Sequence, residues 1–264
     1  MKRNLQTIIL AAGFGKRTKG ILGNLPKILI KTSDGKTILD HLAEDLIFNC
    51  KQSQIYLITN SLFYKTIKNH LHLHFPNNNI FVLDNLIRNI KQRRGALGDL
   101  LFSVEKLKYK RDLLVLPSDT AYWNSFSIKD LLDYSKKNEN HFITVVRDVN
   151  DRNIIKNRFG CPVLNAKNEI IEFVEKPLHP ASTLVATPFY IYRKKHIKLL
   201  KTYAQKEGRL DSPGNFIPYL IQNKETVKAF IVNNKIIDAG VPEDIGRVKK
   251  YLSFPYKSNL NVVD

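Results

Sequence analysis

Four groups of residues have types and spacings that could do chemistry. The first follows the apolar run Thr7-Ile8-Ile9-Leu10: small residues Ala11-Ala12-Gly13-Phe14-Gly15, then Lys16 and Arg17, then Pro26-Lys27. A buried strand that opens into glycines lets backbone approach a ligand closely, because Gly has no Cβ. Bare N–H groups beside cations suit a polyphosphate, although an ordinary strand-to-helix turn with a surface Lys-Arg pair has the same spacing. The second and third groups are Asp119, in Pro117-Ser118-Asp119-Thr120, and Asp238, in Ile236-Ile237-Asp238-Ala239-Gly240. Carboxylates at strand ends can hold Mg²⁺, a hard cation that takes oxygen ligands, or can simply cap a turn. The fourth is Glu175-Lys176-Pro177. A carboxylate accepts hydroxyl donors and an ammonium is a point charge for phosphate, yet a Glu-Lys pair after a strand is commonplace.

Other constellations lead nowhere by sequence. No Walker string G-x-x-x-x-G-K-[ST] occurs, and Thr18 stands where a dinucleotide fingerprint needs its third Gly. No G-x-S-x-G elbow is present. His70, His72 and His74 form an H-x-H-x-H run that could bind metal on a strand, but it ends an expected helix, is read as having no carboxylate or Cys companion, and reads as a surface helix end.

The elements that would position these groups alternate. Strands are expected over 6–11, 54–59, 80–83 and 112–117, and helices over 38–50, 61–74 and 96–107. Asp34-Gly35 marks a small hairpin-like excursion. Such alternation implies a mostly parallel sheet with helices on both faces and ligands at the carboxyl ends of strands. After about residue 140, strands over 141–147, 161–164, 170–174 and 186–192 come with fewer helices. Helices over 194–206 and from Ser212-Pro213 to Asn223 follow, then strands over 227–232 and 235–238 and a last helix from Pro242 to Leu252. The fold expected is α/β, a Rossmann-like three-layer αβα sandwich with a mixed, mostly parallel central sheet and a β-rich elaboration. One domain, 1–252, would comprise halves 1–140 and 141–252, and 253–264 would be an irregular tail.

With 264 residues, 43% of them hydrophobic, the chain can bury a substantial core. No run of about 18 apolar residues predicts a membrane span, and no signal segment follows Met1-Lys2-Arg3. Cys50 and Cys161 are far apart in apolar settings and read as buried thiols of a reducing, cytoplasmic compartment. The net charge of +18 is spread along the chain without a long basic tract or a nucleic-acid motif, so no nucleic-acid partner is expected. Part of that charge would attract polyanionic substrates.

The ordered series of motifs resembles the sugar-1-phosphate nucleotidyltransferases. Their signature G-x-G-T-R-L-x-P-L-T-x-x-x-P-K is matched without a gap by Gly13, Gly15, Arg17, Pro26 and Lys27, while Lys16, Thr18, Gly20 and Leu22 stand for Thr, Leu, Pro and Thr. Ser118-Asp119 fills the place of the family's Gly-Asp, and Ile236 to Glu243 that of W-x-D-x-G-T-P-E. Arg158-Phe159-Gly160 resembles R-[FY]-G, and Val174 to Pro177 resembles V-E-K-P. Ser182 to Tyr190 resembles S-T-x-x-x-T-G-x-Y, with Pro188 for the Gly. Arg93 to Asp99 and Asp211 to Ile217 are similar to a thymidylyltransferase-like branch.

The resemblance implies an enzyme that joins an NTP to a sugar 1-phosphate, releasing pyrophosphate, with a pyrimidine base and a glucose-type sugar through the branch. It implies nucleotide contacts from Leu10, Ala11, Ala12, Gly13, Gly15, Lys16, Arg17, Lys27, Gly95 and Ser118. Sugar-phosphate contacts would come from Gly160, Glu175, Lys176 and Thr187, and Mg²⁺ would be held by Asp119 and Asp238. Arg17, Lys27, Asp119 and Asp238 would carry catalysis. A β-helical domain, appended in some relatives, is not expected; a homo-oligomer is compatible with the motifs. A non-sugar phosphorylated acceptor, or a binding paralogue without turnover, are the competing readings.

Overall fold

The computed structural model describes residues 5–50, 54–77, 79–109 and 111–251; the 253–264 tail and Leu252 lie outside them. Strand β1 (Gln6–Ala11) delivers the glycine loop, a 3-10 turn at Lys16–Thr18, the short α1 (Lys19–Leu22) and a second 3-10 turn at Lys27–Leu29. The Asp34-Gly35 excursion is a tight loop closed by one antiparallel bridge, Lys31 to Thr37. Thr37 then begins α2 (Ile38–Asn49) with a capping box, its side chain accepting from Asp40 N–H and the Asp40 side chain accepting from Thr37 N–H. There follow β2 (Ile55–Thr59), α3 (Tyr64–His74), β3 (Ile80–Asp84), α4 (Ala96–Lys106), β4 (Leu113–Pro117), the two-residue β5 (Thr120–Ala121) and α5 (Ile128–Lys137). The second half runs β6 (Phe142–Asp148), α6 (Arg152–Ile155), β7 (Gly160–Leu164), β8 (Ile170–Glu175), β9 (Leu184–Tyr192), α7 (Lys194–Lys206), α8 (Phe216–Gln222), β10 (Val227–Val232), β11 (Ile237–Asp238) and α9 (Pro242–Lys249).

The main sheet has the order β10-β6-β9-β4-β1-β2-β3, and β7 and β8 extend from β9. β3, β2, β1 and β4 are mutually parallel; β9 is antiparallel to both β4 and β6, and β10 is parallel to β6. Period-2 alternation sends the strand residues to two helical layers. Ile9, Leu114, Leu116, Ile143, Phe189 and Ile191 pack toward α2, α3 and α5. Ile8, Leu113, Val115, Phe142, Tyr190 and Tyr192 pack toward α4, α7 and α8. Each fully buried Ile, Leu or Val contributes roughly 1.5–3 kcal/mol, so the three-layer sandwich is fixed by which side of the pleat each apolar residue takes.

Two differences from the expected elements have clear causes. Helix α5 is not expected from its mostly polar sequence, which buries only Ile128, Asp130, Leu131 and Ser135. Its start is nevertheless encoded, because Ser127 and Asp130 form a second capping box. The expected strand 235–238 shrinks to Ile237-Asp238, since it pairs only with Thr120-Ala121. The thiols of Cys50 and Cys161 are free and buried, and among the described residues no helix is long and apolar enough to cross a membrane.

Candidate active site

The parallel register places Leu10 beside Pro117. The loop after Ala11 and the Ser118-Asp119 turn therefore leave the same edge of the sheet. Ala11 and Ala12 are buried, and their carbonyls accept from Thr59 Oγ1 at 3.3 Å and Asn60 Nδ2 at 3.1 Å. Gly15 turns the chain with φ +62°. Thr18 is fully buried, and its N–H and Oγ1 both donate to the Gly15 carbonyl, at 2.9 and 3.0 Å. The turn is thus closed from within, and Lys16 and Arg17 are left exposed on its outer side.

The two aspartates come together through the β5–β11 ribbon. Asp238 is directly opposite Thr120, and Ala239 N–H donates to the Asp119 carbonyl at 2.7 Å. Lys27 Nζ meets Asp119 Oδ2 at 2.9 Å. Asp238 Oδ1 accepts from Thr120 Oγ1 at 2.6 Å, and its Oδ2 lies 3.7 Å from an Arg147 guanidinium nitrogen. Burial raises the proton affinity of Asp238, Arg147 opposes this, and the charge of Asp119 adds to it. Two carboxylates of this kind, crowded and offering only oxygen, fit a hard divalent cation such as Mg²⁺.

The opposite wall of the same cleft is built around Glu175. Ser212 Oγ donates to Glu175 Oε1 at 2.6 Å. A Cβ on Gly160 would lie 3.0 Å from Glu175 Oε2 and 2.4 Å from Phe173 Cζ, and one on Gly214 would lie 2.0 Å from Oε2. Both positions therefore need glycine for the carboxylate to sit where it does. Lys176 follows in the left-handed region, φ +51°, with its N–H donating to the Phe159 carbonyl at 3.1 Å. Arg17, Gly160, Glu175, Lys176 and Asp238 together line one cleft, whose cavity volume is ≈ 180 Å³.

Residues 6–258 match the family model for nucleotidyl transferase. The chain belongs to the nucleotidyl transferase family. It is 29% identical over 255 residues to the bifunctional protein GlmU of Methanocaldococcus jannaschii, covering 94% of this chain and 54% of that protein. It is 30% identical over 154 residues to the glucose-1-phosphate adenylyltransferase of Lachnospira eligens, covering 58% of this chain and 33% of that protein. The chain thus spans about half, or less, of these curated relatives. A Bacillus anthracis crystal structure, provisionally named glucose-1-phosphate thymidylyltransferase and holding a sucrose, has the same fold. It superposes with a TM-score of 0.77 at 18% identity, over 95% of this chain and 97% of that one.

Leu10, Ala11, Ala12, Gly13, Gly15, Lys16, Lys27, Ser118 and Asp119 are outside the lining of that cleft, and so are Gly95 and Thr187, which are also engaged by the chain's own packing. Gly95 has φ +77°, and a Cβ there would lie 2.3 Å from the Leu210 carbonyl oxygen. The N–H groups of Ala96 and Leu97 donate to the carbonyls of Asp211 and Leu210. The start of α4 is therefore occupied by the chain's own 210–211 loop. Neighbouring Arg94 donates to the Asn85 carbonyl at 2.5 Å and lies over the Phe102 ring, so it is a packing residue. Thr187 is buried with Val145 opposite it, while Ala186, Pro188 and Tyr190 line the cleft. The pleat thus turns Thr187 toward the α2–α5 layer. Pro188 falls at the bulge between Thr187 and Tyr190, where β9 carries extra residues opposite β6 and no ladder N–H is required of it.

Three residues absent from the motif reading belong to the site. Arg147, at the end of β6, donates to the Ile236 carbonyl and to Asn234 Oδ1 at 2.8 Å while facing Asp238. Asp244 ties Arg158 at 2.7 Å and Arg247 at 3.1 Å across the cleft's lower rim. Thr120 anchors Asp238. An Arg that directly follows the mostly apolar run FITVV, and an Asp in the first turn of α9, were the available signals.

Proposed function

We propose that the chain is a sugar-1-phosphate nucleotidyltransferase, transferring a nucleotidyl group from an NTP to a sugar 1-phosphate with release of pyrophosphate. The glucose-type sugar and pyrimidine base rest on the motif resemblance. One observation supports the reading above others: Arg17, from the glycine loop, and Glu175-Lys176, from the second half, line a single cleft together with Asp238. Two anionic substrates need such a cleft, cationic on both walls and provided with one fixed carboxylate for hydroxyls.

A phosphate oxygen of the sugar 1-phosphate would attack the α-phosphorus in line, forming the new P–O bond as the bond to pyrophosphate breaks. The nucleophile is already an anion, so no strong base is needed. Positioning and charge stabilisation carry the reaction. Arg17 would meet the β- and γ-phosphates and the leaving pyrophosphate, with Lys16 beside it. Lys27 would exchange its contact with Asp119 for the α-phosphoryl group. Leu10, Ala11, Ala12, Gly13, Gly15 and Ser118 would form the backbone rim of the nucleotide side. Glu175 would accept from sugar hydroxyls and Lys176 would meet the sugar phosphate, with Gly160 beneath them. Asp119 and Asp238 would hold Mg²⁺, which when bound supplies Lewis-acid charge and a template.

The test is a pyrophosphate-release matrix of NTPs and dNTPs against sugar 1-phosphates in Mg²⁺. Release with a pyrimidine nucleotide and a glucose-type sugar 1-phosphate is expected. Release only with a non-sugar phosphorylated acceptor would replace the acceptor class. NTP binding without turnover for every pair would reduce the protein to a binding paralogue.

A further inference from the structure

The histidine run that has no carboxylate nearby in sequence acquires one in the fold. Asp40 Oδ1 lies 2.7 Å from His70 Nε2. His74, one turn further along α3, stacks on His70 with ring centroids 4.3 Å apart and an interplanar angle of 24°. One ligand atom from each of Asp40, His70 and His74 lies within 4.8 Å of the others. None of the three lines the substrate cleft.

We propose that Asp40, His70 and His74 form a second metal site, taking a borderline transition ion such as Zn²⁺ and clipping the first turn of α2 to the last turn of α3. Histidines four apart project from one helical face, which is how a helix offers two nitrogens to one ion. Two imidazoles and one carboxylate are the three-protein-ligand set of an open tetrahedral zinc site, with water in the fourth position. Bonds of about 2.0–2.2 Å put ligand atoms roughly 3.4 Å apart, so the Asp40–His70 contact opens modestly when an ion takes the place of the shared proton.

The surroundings suit this role. The other oxygen of Asp40 is fixed by Thr37 N–H at 2.8 Å, which aims the free oxygen at α3. Among the described residues no Lys or Arg lies in ion-pair range of Asp40. His70 and Asp40 are mostly covered, with 14% and 11% of their side chains exposed, while His74 is open to solvent and gives an ion its way in. His72, on the same helix, is outside the cluster.

The donor sets separate this site from the substrate cleft, where only oxygens are offered. The experiment uses the whole chain, stripped with a chelator and held in excess Mg²⁺. Co²⁺ is titrated by its visible d–d absorption and Zn²⁺ by calorimetry. One ion per chain is expected, with nitrogen-ligated tetrahedral Co²⁺ bands and a Zn²⁺-dependent rise in Tm. His74→Ala should weaken Zn²⁺ binding at least ~10-fold without lowering the Tm of the stripped protein, and His72→Ala should leave binding unchanged. Absence of saturable Zn²⁺ binding by the parent chain, or equal affinity in His74→Ala, would overturn the site whether or not the nucleotidyl-transfer reading stands.

Discussion

The two walls of the cleft are built in opposite ways. On the first-loop wall, Gly13 has no atom within 4 Å of where a Cβ would be, and the side chains of Lys16 and Arg17 make no hydrogen bond or ion pair among the described residues. On the facing wall, Glu175 is bonded to Ser212 and boxed in by Gly160 and Gly214 at distances no Cβ could tolerate. One wall is exposed, unpaired charge; the other is a fixed hydrogen-bond acceptor. Fixed acceptors discriminate, because a ligand group that fails to pair leaves a buried polar group unmatched. Exposed cations attract any polyanion. On the proposed function, the difference teaches that selection of the sugar would rest on preformed geometry, whereas the nucleotide's phosphates would organise their own wall.

The largest expected effect comes from the ribbon that joins the walls. Asp119→Asn removes one of two adjacent carboxylates and the Lys27 anchor together. Steady-state pyrophosphate release should fall by about 10³-fold or more. Circular dichroism and Tm should stay near those of the parent, since the Asp119 side chain is 30% exposed and its backbone bond to Ala239 is kept. Near-normal turnover would show that the carboxylate pair is not the working centre.

The same substitution made on each wall tests the comparison directly. Gly214→Ala pushes a methyl into Glu175 Oε2, 2.0 Å away. A displacement of that order costs up to about 10²-fold, and it should appear in the KM for sugar 1-phosphate with the KM for NTP little changed. Gly13→Ala meets no protein atom, so stability should be retained and only the NTP parameters should move. A Gly13→Ala defect in sugar-phosphate KM would break the division into two walls.

How much of this was legible from residues alone follows range of contact. The β1 and β4 ends, the glycine loop and the E-K-P segment are local, and they lie where strand-helix alternation put them. Asp119 and Asp238 could be named one by one, but their adjacency depends on a two-residue ribbon too short to read as a pattern. Arg147 reaches Asp238 only because β6 ends near the ribbon, a fact of sheet order. Thr187 was assigned by a string, and which face of β9 it takes is set by the pleat: its neighbours 186 and 188 line the cleft. Asp40 and His70 lie thirty positions apart, so the histidine run looked alone until α2 and α3 were side by side.

A smaller effect is expected where the chain departs from its family's signature. Lys16 stands for Thr and is exposed. Lys16→Thr should raise the KM for NTP by roughly 3–5-fold at low salt, an exposed charge contributing up to about 1 kcal/mol, and the change should fade at high salt as screening grows. A salt-independent loss would mean that Lys16 is held in a formed contact, making the first wall as preorganised as the second.

The smallest effect concerns a buried histidine of the second half. His196 is fully buried at the start of α7, accepting from Arg193 N–H at 3.0 Å through Nδ1, with Nε2 3.3 Å from Glu225 just before β10. Burial is the main cause that lowers its pKa, to about 4, with Glu225 opposing. The unfolded chain, near 6.5, therefore takes up a proton that the folded chain refuses. Stability is fully present above about 6.5 and is lost as pH falls toward 4. From pH 7 to pH 6 the loss should be roughly 0.5–1 kcal/mol in denaturant midpoints. His196→Asn keeps an acceptor for Arg193 and has no titrating ring, so it should flatten that window without altering kcat at pH 7. Protonation would cost Nδ1 its acceptor lone pair and loosen α7 at its first turn, and amide exchange on α7 and β10 should rise before exchange on β1 and β2. If exchange rose equally in all four, the α7–β10 region would have no acid sensitivity of its own.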